Sequence, residues 1–142
     1  MTLNAKYAPD NIFAKILRGD IPTVKVYEDD RILSFMDAFP QARGHTLVIP
    51  KVAACNLFDI ASDDLRNLID HTRRIATAVR DGLLPDGIRI AQFNGEAAGQ
   101  TVFHLHFHII PAFTGNPIQA HGGQMADLGD LRELADKIKA KL

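Results

Sequence analysis

Apolar positions recur at three- and four-residue spacing from Leu65 through Leu68, Ile69, Ile75 and Ala76 to Val79. That spacing puts them on one face of a helix and predicts the longest helix of the chain, reaching Gly82. Ser62 is read as its N-cap, and Asp63 and Asp64 suit the positive end of its dipole. Ile12, Phe13, Ile16 and Leu17 repeat the spacing over residues 11–18, and Gly19 stands where a short helix ends in a left-handed residue. Leu131, Leu134 and Ile138 share a face after Asp130, which with Glu133 resembles a capping pair and predicts a C-terminal helix.

Elsewhere the apolar runs are short. Val24 and Val26, then Ile32 and Phe35, flank the polar Glu28-Asp29-Asp30-Arg31, which reads as two strands joined by a turn. Residues 45–49 form a further apolar strand that Pro50 ends. Residues 88–94 and 102–110 read as strands either side of a glycine-bearing loop, 95–100. Residues 113–125 are rich in Gly, Asn and Gln and are the candidate for a mobile loop. The resulting fold class is α+β: a mainly antiparallel five-stranded sheet, one long central helix and a C-terminal helix. Neither a repeat nor a long linker interrupts the 142 residues, so 1–142 reads as one domain.

Composition removes several function classes. The formal net charge is −1, so no global field favours nucleic acid or an anionic membrane. No stretch approaches the roughly 20 apolar residues of a membrane span. Cys55 is the one cysteine, which excludes an internal disulfide and a cysteine-rich zinc site. With no signal-like apolar run at the N-terminus, the expected location is cytoplasmic.

One stretch breaks the ordinary pattern. Phe-His-Leu-His-Phe-His-Ile-Ile-Pro, residues 103–111, sets His104, His106 and His108 at alternate positions. On a strand these share one face, about 6.8 Å apart for a rise of about 3.4 Å per residue, while Leu105, Phe107 and Ile109 share the other. A solvated face has no need of imidazole. A metal site is a second reading, since three histidines suit zinc, but no carboxylate lies close in sequence to orient the rings. The third is nucleophilic chemistry on phosphorus. Neutral imidazole is a nucleophile near pH 7, its neighbours can donate to an oxyanion, and the backbone N–H groups of the preceding loop can cradle phosphate oxygens.

Gly-Gln-Thr-Val-Phe-His-Leu-His-Phe-His-Ile-Ile-Pro (residues 99–111) resembles the signature of the histidine-triad family. Gly-His-Thr-Leu-Val-Ile-Pro-Lys (44–51) resembles its second hallmark. Ile-Phe-Ala-Lys-Ile-Leu-Arg-Gly-Asp-Ile-Pro (12–22), followed by Val-Tyr-Glu-Asp-Asp, is similar to the start of its Hint-like branch, the nucleotide-binding nucleoside phosphoramidases. The similarity covers residues 11–113, leaving a C-terminal loop and helix over 114–142. It implies a homodimer whose sheets join, a purine-nucleotide pocket, and hydrolysis through a nucleotidyl-histidine without metal or other cofactor. By that resemblance His106 is the nucleophile, His108 binds phosphate oxygen, His104 supports the row and His45 completes the site. Asn94, Gly99, Gln100 and Thr101 match the phosphate and leaving-group segment. Phe13, Ile16, Phe35 and Ala38 match walls around the base, and Asp37 matches the carboxylate on the ribose hydroxyls. His71 and His121 match no motif and are read as surface residues.

Two departures from the family matter. Zinc-binding members carry cysteines around the N-terminal Ile-Phe and a histidine after the Pro-Lys; here Asn11, Ala14 and Ala54 stand there, so a structural zinc is not expected. Thr101 stands where the Hint-like branch has serine, as in the dinucleoside polyphosphate hydrolases of the same family. That branch, and a nucleotide-binding regulatory module with little catalysis, are the alternatives.

Overall fold

A computed structural model describes residues 1–120 and 123–142. Helix α1 (Ile12–Leu17) is followed by β1 (Lys25–Glu28), β2 (Ile32–Met36) and β3 (Thr46–Pro50). Then come α2 (Ser62–Leu83), β4 (Gly87–Ala91), β5 (Phe107–Ala112) and α3 (Leu128–Lys139). The strands form one sheet in the order β1-β2-β3-β5-β4, antiparallel at every pairing. The α+β class and the five-stranded antiparallel sheet are therefore as expected. No helix among the described residues is long and apolar enough to cross a membrane.

Every residue of β2 and β3 is buried, because the sheet is covered on both faces. One face carries Ile32, Met36, Val48, Leu105 and Ile109 against the apolar stripes of α2 and α3. The other carries Leu33, Phe35, Leu47 and Ile49 against Phe13 of α1. Period-two alternation puts His45 on this second face with Leu47 and Ile49, and the β3–β5 register sets His108 opposite Leu47. The layer between α1 and the sheet is thus where the histidines collect.

Helix ends differ from expectation in detail. Ser62 is the first residue of α2 rather than its cap; Ala61 occupies that position and offers no side-chain bond. Asp63 and Asp64 instead hold the Arg31 guanidinium, each at 2.9 Å. Asp127, not Asp130, caps α3, its carboxylate accepting from the Asp130 N–H. Asn11 caps α1 by accepting from the Ala14 N–H, and Gly19 takes the left-handed φ of 82° expected of it. Strand β4 is shorter than the 88–94 expected. His71 lies half-buried, not on the surface, with Nε2 3.2 Å from an Asp29 carboxylate oxygen. His121 lies outside the described residues.

Gly82 does not end α2, which continues to Leu83 before Leu84 turns left-handed at φ 53°. The glycine serves a close approach between helices: a Cβ built on it would lie 2.6 Å from the Lys137 carbonyl oxygen in α3. Ala at a helix interior is normally better than Gly by about 1 kcal/mol. Here the clash is with backbone, so Gly82→Ala is expected to destabilise by about 1–3 kcal/mol in urea unfolding. A stabilised variant would mean that α3 yields without cost.

Candidate active site

The row 104–108 is not one regular strand. Strand β5 begins at Phe107, so only His108 sits in the ladder, and His104 and His106 lie in a bend before it. The expected division of side chains survives, with Leu105 in the core beneath α2 and the imidazoles on the α1 face. The rings of His106 and His108 lean together, centroids 4.8 Å apart and nearly edge to face, and Phe13 packs edge-on to His106 at 4.9 Å.

Hydrogen-bond partners assign the proton on each of four imidazoles. His106 Nδ1 lies 2.7 Å from the His104 carbonyl, which can only accept, so Nδ1 carries the proton and Nε2 the lone pair. His104 Nε2 donates to the Pro50 carbonyl at 2.7 Å, so its Nδ1 accepts from the Tyr7 hydroxyl at 2.6 Å. Burial holds the His104 pKa below the usual imidazole value, which keeps this ring neutral. His45 Nδ1 accepts from the Gln41 N–H at 3.0 Å, so its Nε2 carries the proton. That proton faces His108 Nδ1 at 3.0 Å, and it follows that His108 bears its own proton on Nε2.

Asp37 extends this chain. One carboxylate oxygen accepts from the Phe39 N–H at 2.8 Å, closing the turn, and the other lies 3.5 Å from His45 Nε2. Candidate ligand atoms of Asp37, His45 and His108 lie within 4.8 Å of one another and form a possible metal-binding group. His45 Nε2 and His108 Nδ1 already share a hydrogen bond.

His106 and His108 open onto a cavity of about 200 Å³ whose walls include Phe13, Ile16, Phe35 and Ala38. Asp37 and Thr101 also line it, so seven of the expected pocket positions meet there with Phe13. Gly99, Gln100 and Asn94, expected to bind nucleotide, do not line this cavity. The Gln100 amide is buried, donating to the Cys55 and Val102 carbonyls and accepting from the Gly95 N–H. Asn94 accepts from the Leu57 N–H at 2.9 Å. These two side chains brace the 95–100 loop against residues 55–57. Gly95 and Gly99, at φ 88° and 101°, give that loop a backbone path that other residues rarely adopt.

Tyr7 and Gln41 were missed by motif reading, as was Leu47 in the cavity wall. Leu47 was recoverable from period-two alternation with His45. Tyr7 and Gln41 carried no local signal.

At the positions of the family's structural zinc, Asn11 uses its side-chain oxygen as a helix cap, while Ala14 and Ala54 have no ligating side-chain atom. The residues present do not fit that zinc.

The family model described as the HIT domain matches residues 18–115. A HIT-like protein involved in cell-cycle regulation from Bartonella henselae is 47% identical, with a TM-score of 0.89, over 96% of this chain and 100% of that one. A zinc-bound histidine triad family protein from Mycobacterium smegmatis is 37% identical, with a TM-score of 0.82, over 93% and 92%. A hypothetical histidine triad nucleotide-binding protein from Sulfolobus tokodaii is 30% identical, with a TM-score of 0.84, over 91% and 89%.

Proposed function

The chain belongs to the HIT domain family, and from that premise we propose that it is a nucleotide-binding hydrolase that cleaves nucleoside phosphoramidates or related nucleotidyl compounds through a nucleotidyl-histidine on His106. The observation that carries the reading is the hydrogen-bond pattern of two rings at one cavity: His106 Nδ1 on the His104 carbonyl and His108 Nδ1 on His45 Nε2, which in the neutral rings puts a lone pair on His106 Nε2 and a proton on His108 Nε2. A nucleophile and a donor to phosphate oxygen are what transfer at phosphorus needs.

The α-phosphorus of the substrate sits over His106 Nε2, with the base between Phe13, Ile16 and Phe35 and the ribose towards Asp37. A bond forms from Nε2 to phosphorus as the bond to the leaving amine breaks, and that amine departs after taking a proton from solvent. The imidazole then carries positive charge, and its Nδ1–H bond to the His104 carbonyl becomes charge-assisted. His108 Nε2–H stabilises charge on the equatorial oxygens; the Ala98, Gly99 and Gln100 N–H groups are already bonded within the 95–100 loop. Water then attacks phosphorus, releasing the nucleoside monophosphate and restoring His106. The Thr101 hydroxyl, at the cavity edge, assists the departing group; because threonine stands there, a dinucleoside polyphosphate is the second substrate class to test.

The chemistry is assigned to side chains alone, without a metal or other cofactor. Turnover of an adenosine phosphoramidate at pH 7 is expected to continue unchanged with excess chelator. Tight nucleotide binding without turnover would favour a regulatory module, and loss of turnover on chelation would transfer the chemistry to a metal.

The proposed assembly is a homodimer. Strand β4 ends the sheet order and pairs with β5 alone among the described strands. Ile90 on it and Ile69 on the adjoining α2 are 45% and 44% exposed along a groove between the two elements. An edge strand beside a helix that exposes Ile69 along the same groove suits pairing with a second copy about a two-fold axis. Light scattering at micromolar concentration is expected to give twice the chain mass, and Ile69→Asp with Ile90→Lys the single mass. A monomeric wild type would end this reading.

A further inference from the structure

We propose that Tyr7 is a positioning residue for the nucleophile: its hydroxyl holds the His104 ring at Nδ1 and, with the Pro50 carbonyl at Nε2, clamps the bend that carries His106. The proposal rests on the reading of His106 as nucleophile. Tyr7 lies before residues 18–115, which the family model matches, and 97 positions from the histidine it touches.

The need for a clamp comes from the backbone. Residues 101–106 precede β5 and lack its ladder bonds; the Leu105 N–H reaches the Ala54 carbonyl at 2.8 Å, a contact outside the sheet pairings. The carbonyl that sets the proton on His106 belongs to His104 itself. Its ring is gripped at both nitrogens, by Pro50 at 2.7 Å and by Tyr7 at 2.6 Å, with the phenol ring edge-on at a centroid distance of 5.5 Å. Holding the ring holds the peptide behind it, and that peptide aims His106 Nε2 at the cavity.

Tyr7 is itself held in place. The segment leading to it lies across the base of the 95–100 loop: the Leu3 carbonyl accepts from the Asn56 amide at 3.0 Å, and the Ala5 carbonyl from the Cys55 thiol at 3.5 Å. The Leu3 side chain comes within 3.4 Å of where a Cβ on Gly95 would stand. Cys55 and Asn56 adjoin the stretch that Gln100 and Asn94 brace, so one region supports both the loop and the row.

Tyr7→Phe keeps the ring and removes the hydroxyl. The neutral form of His104 then loses its donor at Nδ1 while Nε2 keeps the Pro50 carbonyl, so in ¹⁵N-histidine NMR its titration is expected to rise by about one pH unit. In steady-state kinetics kcat is expected to fall about tenfold with KM within about twofold, the pattern of a misaimed nucleophile in a pocket that still binds. Tyr7→Ala should enlarge both effects; if it fails to fold, the Phe variant decides. An unchanged His104 titration overturns the proposal, and so does a changed titration with wild-type kcat. If the wild type hydrolyses no nucleotidyl substrate, the proposed activity falls, while the NMR titration still decides whether Tyr7 fixes His104.

Discussion

His106→Ala is expected to lower turnover by about 10³-fold or more while nucleotide binding and the fold persist. The size follows from the proposed role of its Nε2 as the atom that bonds to phosphorus, for which no neighbour substitutes. His104 has both nitrogens committed, to Pro50 and Tyr7, and His108 presents a proton where a lone pair would be required. The fold should persist because His106 stands at the cavity wall, and its removal leaves the apolar layer of Leu33, Leu47 and Ile49 intact. A quenched reaction examined by mass spectrometry is expected to carry the nucleotidyl group on His106. An adduct on His104 or His108, or near-wild-type turnover by the alanine variant, would refute the mechanism. Adding imidazole to His106→Gly offers a second check, since the free ring can occupy the vacated position.

The second large effect is expected at His45, which the structure buries completely. His45 Nε2–H gives His108 its tautomer, and the Gln41 N–H in turn gives His45 its own. His45→Phe fills the space but removes both links. His108 is then free to move its proton to Nδ1, which takes a donor away from the phosphate oxygens. Loss of one such donor is worth about 10²-fold in kcat. The Gln41 N–H and His108 Nδ1 also lose a partner, for a stability cost of about 2 kcal/mol. The two consequences can be separated by assaying well below the unfolding midpoint. There, a purely structural role predicts wild-type kcat, whereas the relay predicts the loss together with a changed His108 tautomer in ¹⁵N NMR.

Much of the fold was legible because its signals are local. The spacing of Leu68, Ile75 and Val79 marks α2, and all-apolar runs such as Leu47 to Ile49 mark strands buried on both faces. Helix ends were read less well. Ser62 and Asp130 have the right chemistry for caps, but each stands inside the helix that its neighbour, Ala61 or Asp127, begins. Gly82 has the look of a terminator and is an inter-helix contact, a fact that resides in α3 and not in the sequence around the glycine.

The candidate site divides in the same way. Alternation alone put His104, His106 and His108 on the side away from Leu105 and Ile109, and by strand period His45 belongs with Leu47. What each ring can do was settled by tertiary structure, since a proton's place on imidazole depends on the partner of each nitrogen. Those partners come from far along the chain: Tyr7 and Pro50 for His104, His45 for His108. The sequence by itself determined which imidazoles share a face, because that follows from residue type and backbone period. Only the folded chain decided which nitrogen holds a lone pair and which a proton, because that depends on hydrogen bonds between segments whose separation along the chain carries no periodic trace.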